Sequence, residues 1–246
     1  MSIRILICLV LIFPIGSICF GQTISVLTLD TTIFTTEEWS EISKAQDGLI
    51  RSYADVHIKD LNGVPFSERE KELLDIFNST DENSDLKLHV TRTLAGEYSR
   101  IKQIDSAKKY CAICIDLAGD YVEMRELCRI NMASALRFNS EYATALALID
   151  QALINLESLG KTSTLGLAHM AKGNYYHHRH VLDSAMEFYT KSAQIYLQLQ
   201  DSSKLAAVYN NLGIVLSTTG DLEKARSFYK KSLAIKLGVR SGVDIA

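Results

Sequence analysis

Proline is nearly missing from this chain. Its 246 residues hold two, Pro14 and Pro65, so little in it blocks helix formation. Tryptophan occurs once, and neither sign of charge prevails: 26 Lys+Arg stand against 29 Asp+Glu, a formal net charge of −3. That balance excludes the basic footprint expected of a nucleic-acid binder. No apolar run is long enough to span a bilayer; Ile5–Ile15 stops after 11 residues. Motifs that announce catalysis are absent as well, with no G-x-G-x-x-G, P-loop, H-E-x-x-H or G-x-S-x-G. Paired acids such as Glu37-Glu38 and Asp81-Glu82 fall in helix-start and linker contexts, where carboxylates favour helix N-termini or water. The chain therefore reads as no enzyme, with no cofactor and no metal. What it does have is the composition of a globular protein, 47% hydrophobic and 22% charged.

The first 21 residues stand apart. Arg4 precedes the apolar run Ile5–Ile15, and Gly16-Ser17-Ile18-Cys19-Phe20-Gly21 follows with small residues. This is the pattern of a secretory signal peptide, residues 1–21, cut before Gln22. The expectation is a secreted or periplasmic protein with no membrane span in the mature chain; the alternative is a membrane anchor formed by an uncleaved signal. Taking Arg4 from the 26 basic residues leaves 25 against 29 acidic ones, a mature net charge of about −4. Residues 22–87 then read as an extended Thr/Ile-rich segment and a helical hairpin, either a cap or a degenerate repeat. Trp39, Ile42, Leu49, Tyr53 and Val56 share one helical face, and Asn62-Gly63-Val64-Pro65 ends that helix. Ser67-Glu68-Arg69-Glu70 predicts a capping box for the next.

From 88 to 246 the sequence repeats itself. Ala95, Ala133, Gly173 and Gly213 recur at steps of 38, 40 and 40 residues. Twelve residues after each comes an alanine: Ala107, Ala145, Ala185 and Ala225. Three residues after each small residue stands Tyr98, Leu136, Tyr176 or Leu216. A fixed period in this range marks a stacked-repeat protein. In the clearest unit, Tyr209, Leu212 and Leu216 form one helical stripe. Thr218-Thr219-Gly220-Asp221 breaks it, with Gly suited to a left-handed helix end and Asp to an N-cap. A second stripe follows through Leu222, Ala225, Phe228, Tyr229 and Leu233. Each unit is thus a helix, a tight turn and a helix, with small residues at the crossing. The fold class is all-α, an α-solenoid of antiparallel hairpins with units starting near 88, 126, 166 and 206.

The last unit carries Tyr209, Leu212-Gly213, Leu216, Ala225, Tyr229 and Ser232. The one before carries His169, Lys172-Gly173, Tyr176, Ala185, Tyr189 and Ser192. This pattern resembles the tetratricopeptide repeat family, of an exported bacterial type. The earlier units are more diverged, the period is longer than the usual 34 or so, and the family's closing proline is missing. The resemblance implies a superhelix whose first helices line a concave groove that binds a protein or peptide. Carried over by register, the groove positions are His89, Arg92, Arg100, Asn131, Arg137, Asn174, His177, His178, Asn210 and Asn211. None is acidic, so an acidic or carboxylate-bearing partner is expected. The family's carboxylate clamp is not reproduced, because Gly96, Leu167 and Ala171 stand at its places. The alternative function is the extracytoplasmic sensing fragment of a larger membrane-anchored bacterial signalling regulator, with a histidine kinase or DNA-binding output.

Three further readings complete the sequence. Ser241–Ala246 reads as the lead-in to another unit, leaving Leu233 and Leu237 bare; either a longer parent protein or self-association through this end would follow. Cys111-Ala-Ile-Cys114 has redox spacing but lies within a helix at core positions, so packing is expected of both; Cys128 opens the next helix within reach of either. His177-His178-Arg179-His180 lacks a carboxylate or thiol at ligand spacing and reads as a solvated helix end.

Overall fold

The computed structural model describes residues 48–61, 63–81 and 84–238. The signal peptide, the extended segment, the Trp39–Ile42 part of the first helix and the Ser241–Ala246 lead-in lie outside them. The described residues form helices and turns only: α1 Gly48–Leu61, α2 Phe66–Ser79, α3 Asp85–Arg100, α4 Ile104–Ala118, α5 Val122–Phe138, α6 Tyr142–Glu157, α7 Ser163–His178, α8 Leu182–Gln198, α9 Ser202–Thr218 and α10 Leu222–Lys236. Two compact units divide the chain inside α3, one up to Glu97 and one from Tyr98.

In the first unit α1 buries Tyr53 and Val56, and α2 buries Phe66, Leu73 and Ile76. The expected capping box does not form. Pro65 occupies the position before α2 with an extended backbone, φ −58° and ψ 148°, and no side chain caps the helix. Proline fixes φ and needs no N–H partner, so the helix starts at Phe66 and Ser67 lies too far inside to cap it. Arg69, expected in that box, is instead buried. Its Nε donates to the Val64 carbonyl at 3.0 Å and its Nη2 to Asp60 at 2.5 Å and Glu97 at 3.3 Å. Ser84 caps α3, its Oγ accepting from the Lys87 N–H at 3.1 Å.

In the second unit the repeat register becomes geometry. Each helix packs on its neighbours in sequence, and α5 also packs on α7, first helix against first helix. The four alanines are equivalent: Ala107, Ala145, Ala185 and Ala225 are all buried, each the fourth residue of its helix, with its N–H on the carbonyl just before that helix. Turns repeat too. Lys102, Ser140, His180 and Gly220 all adopt positive φ, between 58° and 86°. After each, the N–H of Gln103, Glu141, Val181 or Asp221 donates to the carbonyl of Tyr98, Leu136, Tyr176 or Leu216, at 2.9–3.0 Å. This six-to-one bond satisfies a carbonyl at the helix end and requires a left-handed residue within it. Asp221 and Asp201 then cap α10 and α9.

The crossing itself is set by volume. A Cβ added at Gly173 would meet the Tyr189 ring at 2.5 Å, and one at Gly213 the Tyr229 ring at 2.6 Å. Sixteen residues separate each pair, and the same step leads from Ala133 to Ile149, which share one core cluster. Glycine thus faces tyrosine, and alanine faces the smaller isoleucine. Buried polar groups are unit-specific. Ser192 and Ser232 hydroxyls donate to the carbonyls of Gly166 and Ala206 at 2.7 and 2.8 Å. The α5–α6 hairpin uses a buried carboxylate: Glu126 accepts from Arg129 at 2.7 Å, Asn155 at 2.9 Å and Arg125 at 3.2 Å.

The cysteines depart in part from the packing expected of them. Cys111 is a free buried thiol, pushed up to about 12 by burial. Cys114 forms a disulfide with Cys128, joining α4 to α5 across a Cα–Cα distance of 6.1 Å. The redox spacing is therefore not used, because both cysteines of that motif sit on one helix while Cys128 approaches from the next.

Two outcomes follow. Gly173→Ala should lose about 1–3 kcal/mol in urea unfolding, since the buried Tyr189 ring cannot yield. Gly213→Ala should lose less, because Tyr229 is partly exposed and alanine favours helix by about 1 kcal/mol; equal losses would contradict the crossing. Thiol titration of the unreduced, unfolded chain lacking residues 1–21 should find one reactive thiol of three, and reduction should cost roughly 3 kcal/mol for a loop of this length.

Candidate functional site

First helices α5, α7 and α9 place several of the expected groove residues together. Arg137 lies in the last turn of α5, half-buried, its guanidinium 4.2 Å over the Phe138 ring. Among the described residues it makes no ion pair. Burial lowers its pKa, and the neighbouring Tyr189 and Tyr142 hydroxyls act the other way. His177 and His178 end α7. His177 is half-buried, and its pKa is lowered by burial first, then by His180, His178 and Arg137. His178 is exposed, with Nδ1 at 3.4 Å from the Tyr142 hydroxyl. Arg179 stacks 4.9 Å over the same Tyr142 ring.

Asn174 ties the second and third of these helices. Its Oδ1 accepts from the Tyr189 hydroxyl at 2.7 Å and from Asn211 Nδ2 at 3.4 Å. The result is a continuous strip of Arg137, His177, Asn174 and Asn211 flanked by Tyr142 and Tyr189. It offers cationic and amide donors with no carboxylate among them. Such a strip can bind carboxylate oxygens, and the half-buried Tyr142 ring adds apolar surface beside the charge, while Tyr189 is buried beneath it.

The other expected positions are placed differently. Asn131 and Asn210 are half-buried on α5 and α9, and Arg100 is exposed at the end of α3. His89 and Arg92 are 1% and 7% exposed and do not form an open surface. The reason lies in α1. Tyr53 donates to the His89 carbonyl at 3.1 Å and meets Thr93 at 2.9 Å, with Arg92 beside its hydroxyl. The N-terminal hairpin covers the face that a register argument alone leaves open. Tyr142, Arg179 and Tyr189 were not among the expected groove residues. Tyr142 was legible as the one hydroxyl-bearing residue at a register where Ile104, Leu182 and Leu222 are aliphatic. His180 is a turn residue in the place of Gly220, with φ 58°. Among the described residues no three of His, Cys, Asp and Glu converge, and no helix is long and apolar enough to cross a membrane.

Residues 164–237, which span α7 to α10, match the model of the tetratricopeptide repeat family. No curated protein sequence matches the chain. Solved structures resemble it in fold. A Rap protein complexed with Competence and Sporulation Factor superposes with a TM-score of 0.71 at 16% identity, over 84% of this chain and 59% of that one. BtubC (BKLC) from P. vanneervenii gives a TM-score of 0.58 at 18% identity, over 84% of this chain and 88% of that one. A STAND signal-transduction ATPase with a tetratricopeptide repeat sensor, from Pyrococcus horikoshii, gives 0.57 at 16% identity, over 83% of this chain and 31% of that one. The shared feature is a helical-repeat solenoid. The chain spans a little over half of the Rap protein and a third of the ATPase.

His180→Gly should raise stability by about 1 kcal/mol in a thermal melt, because glycine enters the left-handed region without the Cβ penalty. A lower melting temperature would show that His180 contributes more than a turn.

Proposed function

We propose that this chain is a non-catalytic interaction module that holds an acidic or carboxylate-bearing segment of a partner protein along α5, α7 and α9. The observation that carries the reading is Arg137: a half-buried guanidinium with no carboxylate partner, set beside His177 and between two tyrosines. A buried charge left unpaired costs free energy that an incoming carboxylate recovers. The solved structure of a Rap protein with Competence and Sporulation Factor supports a ligand on a solenoid of this kind.

The module works outside the cytoplasm, behind a leader cut before Gln22. The Cys114–Cys128 bridge supports this placement, since such bonds persist in oxidising compartments. A second reading is favoured by the repeat sensor of the STAND ATPase: the chain is the sensing portion of a larger regulator. Both readings use the same strip.

The test uses labelled peptides rich in Asp and Glu and their Asn and Gln isosteres, titrated by fluorescence anisotropy. Acidic peptides should bind, isosteres should bind weakly, and Arg137→Ala should weaken the acidic peptide by roughly tenfold, about 1.4 kcal/mol. Affinity should rise as pH falls from about 8 to about 6, because a bound carboxylate favours the proton that free His177 resists. Equal binding of both peptide sets would overturn the proposal.

A further inference from the structure

The second helices turn charge to solvent, with one exception. Helix α4 exposes Asp105, Lys109 and Asp116; α8 exposes Asp183, Glu187 and Lys191; α10 exposes Glu223, Lys224, Arg226 and Lys230. On α6 the exposed stripe is Ala143, Ala147, Gln151, Ile154 and Ser158, at helical spacing and without a charge. Ile154 is 65% exposed. The only charged residues of α6 are Asp150, which pairs with Lys172 of α7 at 2.7 Å, and Glu157, its last residue. A helix so poor in charge belongs under cover. The turns after α4, α6 and α8 border the same face with apolar residues at one register: Tyr121, Leu159 and Leu199, 45%, 47% and 39% exposed.

Charges on either side of α6 say what covers it. In the stack α4 packs on α5, α6 on α5 and α7, and α8 on α7, so α4 and α8 flank α6. Lys109, Ala147 and Glu187 share one register, at steps of 38 and 40 residues, and all three are exposed. The bare helix thus has a cation on one side and an anion on the other at the same height. Two copies related by a twofold axis along α6 exchange sides. Ala147 then meets Ala147, and Lys109 of each protomer meets Glu187 of the other. Asp116 and Lys191, whose registers differ by one helical turn, repeat the match further along. Asp105 and Asp183 share a register and a sign, but both stand in the first turn of a helix, where the N-terminus favours a carboxylate. Lys108 is already held by Glu141. A foreign partner has no reason to carry opposite charges at one height on the two sides of its contact; a second copy supplies both by symmetry.

We propose that α6 is a self-docking surface, through which two copies of this chain pair about a twofold axis parallel to the helix. Ile154 and the bordering apolar turns supply the burial, and Lys109 with Glu187 fixes the register. Helices α4, α6 and α8 hold 15–17 residues each. Side by side they offer a patch on the order of 700 Å2, close to the ~800 Å2 that each partner covers in a stable complex. The strip around Arg137 is built on first helices and takes no part in this pairing.

Sedimentation equilibrium of residues 22–246 tests it. The chain should form a dimer, and Ile154→Lys should leave a monomer. Lys109→Glu and Glu187→Lys should each weaken the dimer about tenfold or more, since symmetry turns two attractive pairs into two repulsive ones. The two changes together in one chain should restore it. Arg137→Ala should change nothing, which separates this face from acidic-peptide binding. The three substituted positions on α4, α6 and α8 are exposed, so the variants should melt like the parent; should Ile154→Lys unfold, the charge exchange still decides. A monomer at about 100 μM, weaker than specific complexes of this size, would overturn the proposal and leave the face to a different protein. So would a dimer indifferent to Ile154→Lys, or one that the double exchange fails to restore.

Discussion

How closely two antiparallel helices can approach is decided here by side-chain volume at one crossing per hairpin. Gly173 accepts the Tyr189 ring and Gly213 the Tyr229 ring, while Ala133 lies sixteen residues before the slimmer Ile149. A Cβ more on one side is matched by less bulk on the other. Close packing makes the distance between helices unforgiving, because a methyl group too many must be absorbed by a rotamer change or a backbone shift. The turns obey the same economy of shape. A left-handed residue and a six-to-one bond recur at every first-helix end, whether the residue is Gly220, His180, Ser140 or Lys102.

From that crossing comes the rest of the architecture. Once the two helices of a hairpin are fixed, each still has an apolar stripe that its partner does not reach, and the next hairpin must cover it. First helices then fall side by side, as α5 does on α7. Residues near their ends, such as Arg137, His177 and Asn174, are brought to one strip by stacking alone. The strip's chemistry is not demanded by the fold. A guanidinium held half out of water has Tyr189 and Tyr142 beside it, and the His177 imidazole is crowded by His180, His178 and Arg137.

Much of the architecture could be read from the residues before any coordinates. Spacing located the buried alanines, the left-handed turn at Gly220 and the Asp221 cap, because each depends on contacts within one hairpin. Readings failed where a residue answers to something distant in sequence. Tyr53 covers His89 and Arg92 from 36 and more residues away, so a register borrowed from an open groove misplaces them. The capping box failed because Pro65 imposed its own start on α2. The Cys114–Cys128 bond was one of two pairings that spacing left open, and only the rotation of α5 against α4 distinguishes them. For the candidate strip, Arg137 and His177 were legible by position, whereas Tyr142 and Tyr189 had been absorbed into the packing pattern that they also serve.

Near-identical units can close on the wrong neighbour during folding, a hazard of repetitive chains. Glu126 works against it. Its correct mate α6 presents Asn155, while the corresponding residues of α8 and α10 are Ile195 and Ile235. Closing α5 on either of these would cost the Glu126 carboxylate its Asn155 amide and leave it only Arg125 and Arg129 of its own helix. Conversely, the carbonyls of Gly166 on α7 and Ala206 on α9 each accept a further bond from the hydroxyls of Ser192 and Ser232, and Ala152 of α6 has none to give. A few polar atoms thus act as an address, telling helices of similar oiliness which one to embrace.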